Sequence, residues 1–223
     1  MLRTSPEATP SGTTILGPEV KSPEPVRAGK ILRALGTLCL VGALVVAGYL
    51  GWLLWGTGIG TAREQHHLRQ QIEKLISNPG GLNSRTRRPA GPIRGGLPVG
   101  ILQIPRIHLD MVVVNGTSTT DLRKGPGHYL ETAYPWEDTG RVGIAGHRTT
   151  YLHPFWSLDK LRRGDRIRLI TEYGTFDYNV TGSRVILPSG VWVLNQTKEP
   201  TLVLTTCTPR FSASHRLVVF ASR

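Results

Sequence analysis

Between Ala34 and Ala62 the chain carries no charged residue, and that run limits the fold more than any other feature. Its most apolar part, Leu35 to Trp55, would rise about 32 Å as a helix at ~1.5 Å per residue, close to the ~30 Å hydrocarbon thickness of a bilayer. A secretory apolar region is shorter, roughly 7 to 15 residues, and ends at a small-x-small site. This run is longer and ends in Gly56-Thr57-Gly58-Ile59-Gly60. The expectation is an uncleaved membrane span over residues 34–60, with Tyr49, Trp52 and Trp55 at its far end, where amphipathic rings favour the interface. Arg27, Lys30 and Arg33 precede the span, while Arg63 and Arg69 follow it. The positive-inside bias then puts the amino terminus in the cytoplasm and the rest of the chain outside.

The span divides the remainder into parts of different character. Residues 1–33 are rich in Pro, Ser, Thr, Gly and Glu until the basic flank and cannot bury enough surface to offset the entropy of ordering, so they read as a disordered cytoplasmic tail. Residues 61–97 read as a short amphipathic helix followed by a flexible tether. Thr61 and Glu64 fit a capping box, and Leu68, Ile72, Leu75 and Ile76 fall on one stripe before Asn78-Pro79-Gly80-Gly81. That stripe is expected to pack on the domain or on a second copy. His66 and His67 are adjacent, point to different sides of a helix and give no metal site. The net charge of +12 divides into +2, +5 and +5 over residues 1–33, 61–100 and 101–223. Nucleic-acid binding would need a basic stripe with interleaved aromatics, whereas Arg85, Arg87, Arg88 and Arg94 lie among Gly and Pro.

From residue 98 onward the pattern changes to short apolar segments bounded by turn residues, which predicts an all-β barrel or sandwich. Candidate strands are 100–104, 110–115, 141–145, 166–171, 176–185, 191–194, 201–206 and 216–222. The clearest alternation sets Phe176, Tyr178 and Val180 against Asp177, Asn179 and Thr181, one face buried and one wet. Residues 119–124 and 154–161 are expected to make short helical turns. Cys39 lies in the span and Cys207 in the domain, so no disulfide framework is implied.

The chemistry-bearing residues gather late in the chain. An apolar and threonine-rich run ends at Cys207, a polar turn containing Pro209 follows, and a second apolar run leaves from Arg216. Strand, loop, strand would let thiol and guanidinium face each other, which suits a nucleophile beside an anion stabiliser. Thr205 and Thr206 border the thiol and are candidate donors to a substrate. His147 follows the strand ending Ile144-Ala145 and a glycine that lets the backbone turn, so its imidazole is displayed at a strand end. Arg210, Arg162 and Arg163 read as surface salt-bridge residues, and Arg223 as solvated.

Thr201-Leu202-Val203-Leu204-Thr205-Thr206-Cys207 with a downstream Arg, together with Ile144-Ala145-Gly146-His147-Arg148-Thr149-Thr150-Tyr151, resembles the sortases, the cysteine transpeptidases of Gram-positive cell surfaces. The resemblance covers about Pro98 to Arg223 and implies a closed eight-stranded barrel with short helices. It implies that Cys207 attacks the Thr carbonyl of a Leu-Pro-x-Thr-Gly-type sorting signal, that His147 protonates the departing amine, and that Arg216 holds the oxyanion. It further implies His128 and Tyr129, in a Gly-rich turn, as pocket lining. The implied partners are surface proteins bearing such a signal and an amine of a wall precursor or pilin, with no cofactor or metal. Cys207-Thr208-Pro209-Arg210-Phe211-Ser212-Ala213 looks like the class E sortases of actinobacteria, which are associated with a Leu-Ala-x-Thr-Gly signal. Class C is disfavoured because no Asp-Pro-Trp tripeptide occurs and no carboxy-terminal span is expected. Two other readings fit Cys207 and His147: another cysteine hydrolase or L,D-transpeptidase, and a membrane-tethered adhesion barrel in which Cys207 is merely buried.

Overall fold

The computed structural model describes residues 25–52, 56–77 and 93–223. Most of the amino-terminal tail, Trp55 and the Arg85, Arg87 and Arg88 part of the tether lie outside the described residues. Helix α1, Pro25–Gly51, contains the apolar stretch Gly29–Gly51, long enough to cross a membrane. Leu35, Leu38 and Leu44 on it are each more than half exposed. Helix α1 is described to Gly51, and residues 53–55 of the expected 34–60 span lie outside the described residues.

Helix α2, Thr57–Ser77, begins one turn before the cap expected at Thr61. Thr61 is buried, and its hydroxyl lies 3.1 Å from the Thr57 carbonyl and 2.8 Å from that of Arg123. Eight strands follow: β1 Pro98–Ile104, β2 Leu109–Asn115, β3 Gly127–His128, β4 Arg141–Ala145, β5 Arg166–Thr171, β6 Gly174–Ile186, β7 Thr201–Thr208 and β8 His215–Ser222. They close into a barrel in the order β1-β2-β3-β4-β7-β8-β6-β5, with β2–β3 and β4–β7 parallel and the other pairs antiparallel. The eight-stranded barrel expected from the sequence therefore forms.

One strand was misassigned. Val191–Leu194 is a 3-10 turn, and β3, only two residues long, supplies the eighth strand. A four-residue apolar run cannot distinguish a strand from a buried turn by periodicity. The expected helical turns are present as α3, Thr119–Leu122, with a Ser118–Asp121 capping box, and as a 3-10 turn at Leu158–Lys160. Gly127 lets the short β3 fit, because a Cβ there would lie 2.2 Å from the Gly116 carbonyl oxygen.

Alternation along each strand sends one set of side chains inward. Leu102, Val113, Ile144, Leu169, Tyr178 and Leu204 form the barrel interior. On β1 and β2 the opposite face is also buried, since Ile101, Val112 and Val114 pack under Leu68 and Ile72 of α2. Each such fully buried aliphatic side chain stabilises by roughly 1.5 to 3 kcal/mol. The stripe predicted for residues 68–76 thus packs on the domain, although Leu75 remains 43% exposed. Beside it, the Gln65 amide accepts from the Val112 N–H at 2.8 Å and donates to the Val112 carbonyl at 3.0 Å. It stands in for a neighbouring strand where β3 is too short to pair. Arg69 reinforces the dock by an ion pair with Asp110.

Candidate active site

The register of β7 and β8 pairs Cys207 directly with Arg216 and Thr205 with Val218. Leu202 and Leu204 face the interior, as do Leu217 and Val219, so the alternate positions Thr205, Cys207, Arg216 and Val218 share the outer face. Cys207 is a free, half-buried thiol. Strand β4 runs parallel to β7 with Ala145 opposite Thr205. Gly146 N–H donates to the Thr205 carbonyl at 3.1 Å, and the Thr206 hydroxyl to the Gly146 carbonyl at 2.7 Å. His147 lies in the loop two residues beyond the end of β4, next to Arg148, whose guanidinium reaches the Cys207 carbonyl at 3.4 Å and Thr208 Oγ1 at 2.9 Å.

The loop around His147 is tightly specified. Gly146 is required by packing and not by a left-handed turn: its φ is not positive, and a Cβ would lie 2.6 Å from the ring of buried Phe155. Tyr151, Leu152 and His153 all have positive φ, at 53°, 60° and 37°, a run that is uncommon for non-glycine residues. The Tyr151 ring lies against His147 at 4.9 Å between centroids. Burial pushes the His147 imidazole below its ordinary pKa, and its Nε2 is buried with no hydrogen-bond partner among the described residues. Neutral imidazole with an uncommitted ring nitrogen is able to take up a thiol proton.

A groove of about 120 Å³ adjoins these residues, lined by Tyr129, Thr205, Arg216 and Val218 on the barrel and by Val191 and Leu194 of the 3-10 turn. Tyr129 Oη and Thr205 Oγ1 are hydrogen-bonded at 2.9 Å. A larger cavity of about 520 Å³ between α2 and β1 is lined by Leu75, Ile93 and Leu97. It contains neither thiol nor imidazole. The smaller groove is the one that reaches Arg216, the cross-strand partner of Cys207, although neither Cys207 nor His147 itself lines it.

Of the four substrate-contacting residues expected, Tyr129 and Thr205 line the groove, whereas His128 and Thr206 do not. His128 pairs with inward-facing Ile144 and is fully buried. Its Nδ1 lies 3.0 Å from Asn115 Oδ1 and its Nε2 2.9 Å from the Ala133 carbonyl, and the ring stacks on Tyr134. Thr206 is buried on the interior side, bonded to Gly146. Arg210 forms the anticipated ion pair, with Asp159 at 3.4 Å, and also stacks on Trp156 at 4.5 Å. Arg223, read as solvated, donates to the Pro135 carbonyl at 3.2 Å. Sequence reasoning missed Arg148 and Tyr151 as structural partners of the site, though both stand in the quoted motif.

Residues 102–223 match the family described as Sortase domain. The chain belongs to the sortase family. It is therefore a cysteine transpeptidase by family. It is 31% identical over 192 residues to Sortase D of Bacillus subtilis (strain 168), covering 82% of this chain and 94% of that protein. Sortase SrtE1 of Streptomyces coelicolor is 27% identical over 203 residues, covering 84% of this chain and 56% of the longer relative. Among solved structures, a Clostridium perfringens Sortase D5 transpeptidase matches with a TM-score of 0.61 at 29% identity, covering 69% of this sortase and 96% of that chain. Sortase E1 from Streptomyces coelicolor with a tripeptide in its active site gives 0.54 at 33% identity, covering 57% and 88%. These E-type relatives accord with the sequence-based resemblance to class E, while the D-type sortases have the higher curated identity, 31% against 27%, and the higher TM-score, 0.61 against 0.54.

Burial pushes His128 down to about 4, partly offset by its bond to Ala133 and by Glu131. The folded pKa lies below the unfolded value near 6.5, so the unfolded chain binds a proton first as pH falls. Stability is complete above about pH 6.5 and is lost as pH drops through about 4, by roughly 3 kcal/mol. Denaturant titrations from pH 7 to 4 should show this slope, and His128→Gln should flatten it despite a lower stability at pH 7. Greater stability in acid would mean instead that Asn115 Oδ1 and the Ala133 carbonyl hold the ring as imidazolium.

Proposed function

We propose that this sortase is tethered by α1 with its amino terminus in the cytoplasm and its barrel outside, and that it joins proteins bearing a Leu-Ala-x-Thr-Gly or Leu-Pro-x-Thr-Gly-type signal to an amine of a wall precursor. The single observation that carries the site reading is the direct cross-strand pairing of Cys207 with Arg216, with His147 in the loop that leaves the end of the neighbouring parallel strand. The Cys207 thiolate adds to the Thr carbonyl carbon, and Arg216 donates to the oxyanion that develops. The carbon–nitrogen bond breaks as His147 delivers its proton to the departing Gly amine, leaving a thioester. An incoming amine then adds, loses its proton to His147 and expels the thiolate. Tyr129, Thr205 and the 3-10 turn at Val191–Leu194 bind the signal peptide.

The D-type and E-type relatives and the Cys207–Ala213 segment support a class D or E assignment and, with class E, preference for Ala after Leu. The test incubates the full chain in detergent with paired Leu-Ala-x-Thr-Gly and Leu-Pro-x-Thr-Gly peptides and oligoglycine, and follows product mass. A Thr–Gly ligation product is expected, with more from the Ala peptide. Protease added to intact protoplasts should digest the barrel and spare the amino-terminal tail. Absence of any Thr–Gly cleavage would reject the reaction, and a protected barrel would reject the orientation.

A further inference from the structure

We infer that Arg148 is a positioning residue for acyl transfer: its buried guanidinium, anchored on Asp159, holds Thr208 and so fixes the spacing of His147 and Cys207. This rests on the site reading given under Proposed function. Arg148 follows His147, and its side chain is only 6% exposed. Its Nη1 donates to Thr208 Oγ1 at 2.9 Å and reaches the Cys207 carbonyl at 3.4 Å, while its Nη2 pairs with Asp159 at 3.2 Å. Arg148 and Thr208 directly follow His147 and Cys207 in the chain, and their side chains meet. One planar fork thus ties the residue after the imidazole to the residue after the thiol.

Magnitudes identify the member that matters. A buried cation needs a partner, and removing that partner leaves an uncompensated charge. Arg148 is such a cation, and Asp159 answers it. Arg210 also reaches Asp159, but at 3.4 Å with both side chains about one-third or more exposed, a pair of the kind that contributes little. Arg210 adds a brace from the β7–β8 loop through Trp156, whose carbonyl it bonds at 3.2 Å. Lysine at position 148 would retain charge but lose the fork that spans Thr208 and Asp159 together.

A positioning role differs from a merely structural one in what it moves. Misplacement by about 1 Å can cost on the order of 100-fold in rate. In the full chain, Arg148→Lys should lower kcat about 10- to 100-fold with KM within about twofold, and Asp159→Asn about 10-fold. The double variant should be no worse than Arg148→Lys by more than about threefold, because both changes break one unit. The acid limb of kcat/KM, set by a His147 that burial holds down, should move up toward about 6.5 as the loop loosens. His147→Ala and Cys207→Ala are measured alongside. Wild-type turnover by either would overturn the site reading itself. If both are inactive while Arg148→Lys and Asp159→Asn keep normal kcat and pH profile, this inference alone fails. It fails equally if the losses lie only in KM or if the two variants' effects multiply. Should Arg148→Lys not fold, partly exposed Asp159→Asn decides by the same kcat and pH criteria.

Discussion

Cys207→Ala should abolish Thr–Gly cleavage, lowering turnover by more than about 1000-fold, while the barrel stays folded. No neighbouring group can replace the bond that sulfur makes to the carbonyl carbon, and a water-driven residue of activity from the oxyanion donors alone is small. Folding should tolerate the change because the thiol is half-buried on the outer face and makes no contribution to the interior cluster. Removing one sulfur at such a position leaves little cavity, and the melting temperature should move by only a few degrees. Intact-protein mass after mixing with signal peptide gives an independent readout. Wild type should carry a thioester adduct of the amino-terminal peptide fragment, and the variant none. Substantial transpeptidation by Cys207→Ala would refute the nucleophile and return the thiol to a packing role, the adhesion-barrel reading. Loss of circular dichroism would point instead to a structural cysteine.

What could be read from the residues follows from how local the responsible physics is. Phe176, Tyr178 and Val180 declared their strand because alternation over several residues has no competing explanation, and Tyr178 and Val180 are indeed buried. Cys207 and Arg216 could be placed across a turn because two long apolar runs flank it, and their register is direct. Gly127–His128 carried no such signal, since two residues show no period. Without that strand the parity of His128 and Tyr129 was undefined, and both were assigned to the pocket when only Tyr129 faces it. The start of α2 was hidden by Gly58 and Gly60, which local propensity disfavours in a helix. Contacts with the barrel override that preference: Gly58 approaches Leu152, and Thr61 bonds to Arg123. The Arg148–Asp159 pair joins loops through the fold, and neither spacing nor composition encodes it.

The electrostatics of the site divide between Arg216 and Arg148. On the outer face, Arg216 pairs with Cys207 and its Nη1 donates to the Ala213 carbonyl at 2.9 Å and the His215 carbonyl at 3.1 Å. These bonds to its own loop orient the guanidinium without a carboxylate partner among the described residues, so its charge is not neutralised by an ion pair there. Arg148, by contrast, is committed to Asp159. On the proposed assignment Arg216 serves a developing anion and Arg148 the geometry, so their lysine variants should differ in size of effect.

Arg216→Lys should lower kcat by about 100- to 1000-fold, the loss of about 2.7 to 4 kcal/mol expected when one oxyanion donor is removed. Charge is conserved in that variant, so a simple attraction for the peptide survives. What goes is the rigid planar fork held by Ala213 and His215, and with it donors fixed where the oxyanion forms. Because the oxyanion exists only in the transition state, KM should change much less than kcat. Arg163→Lys, at an exposed position, should alter the rate by less than about threefold, in keeping with the ±0.5 kcal/mol usual for surface changes. Steady-state kinetics on both variants with one peptide and one amine, after circular dichroism shows each folded, make the comparison. An Arg216→Lys enzyme of near-normal kcat would remove the oxyanion role from β8. The remaining donors at the groove, the Tyr129 and Thr205 hydroxyls, would then be next to examine, since both line it beside Arg216.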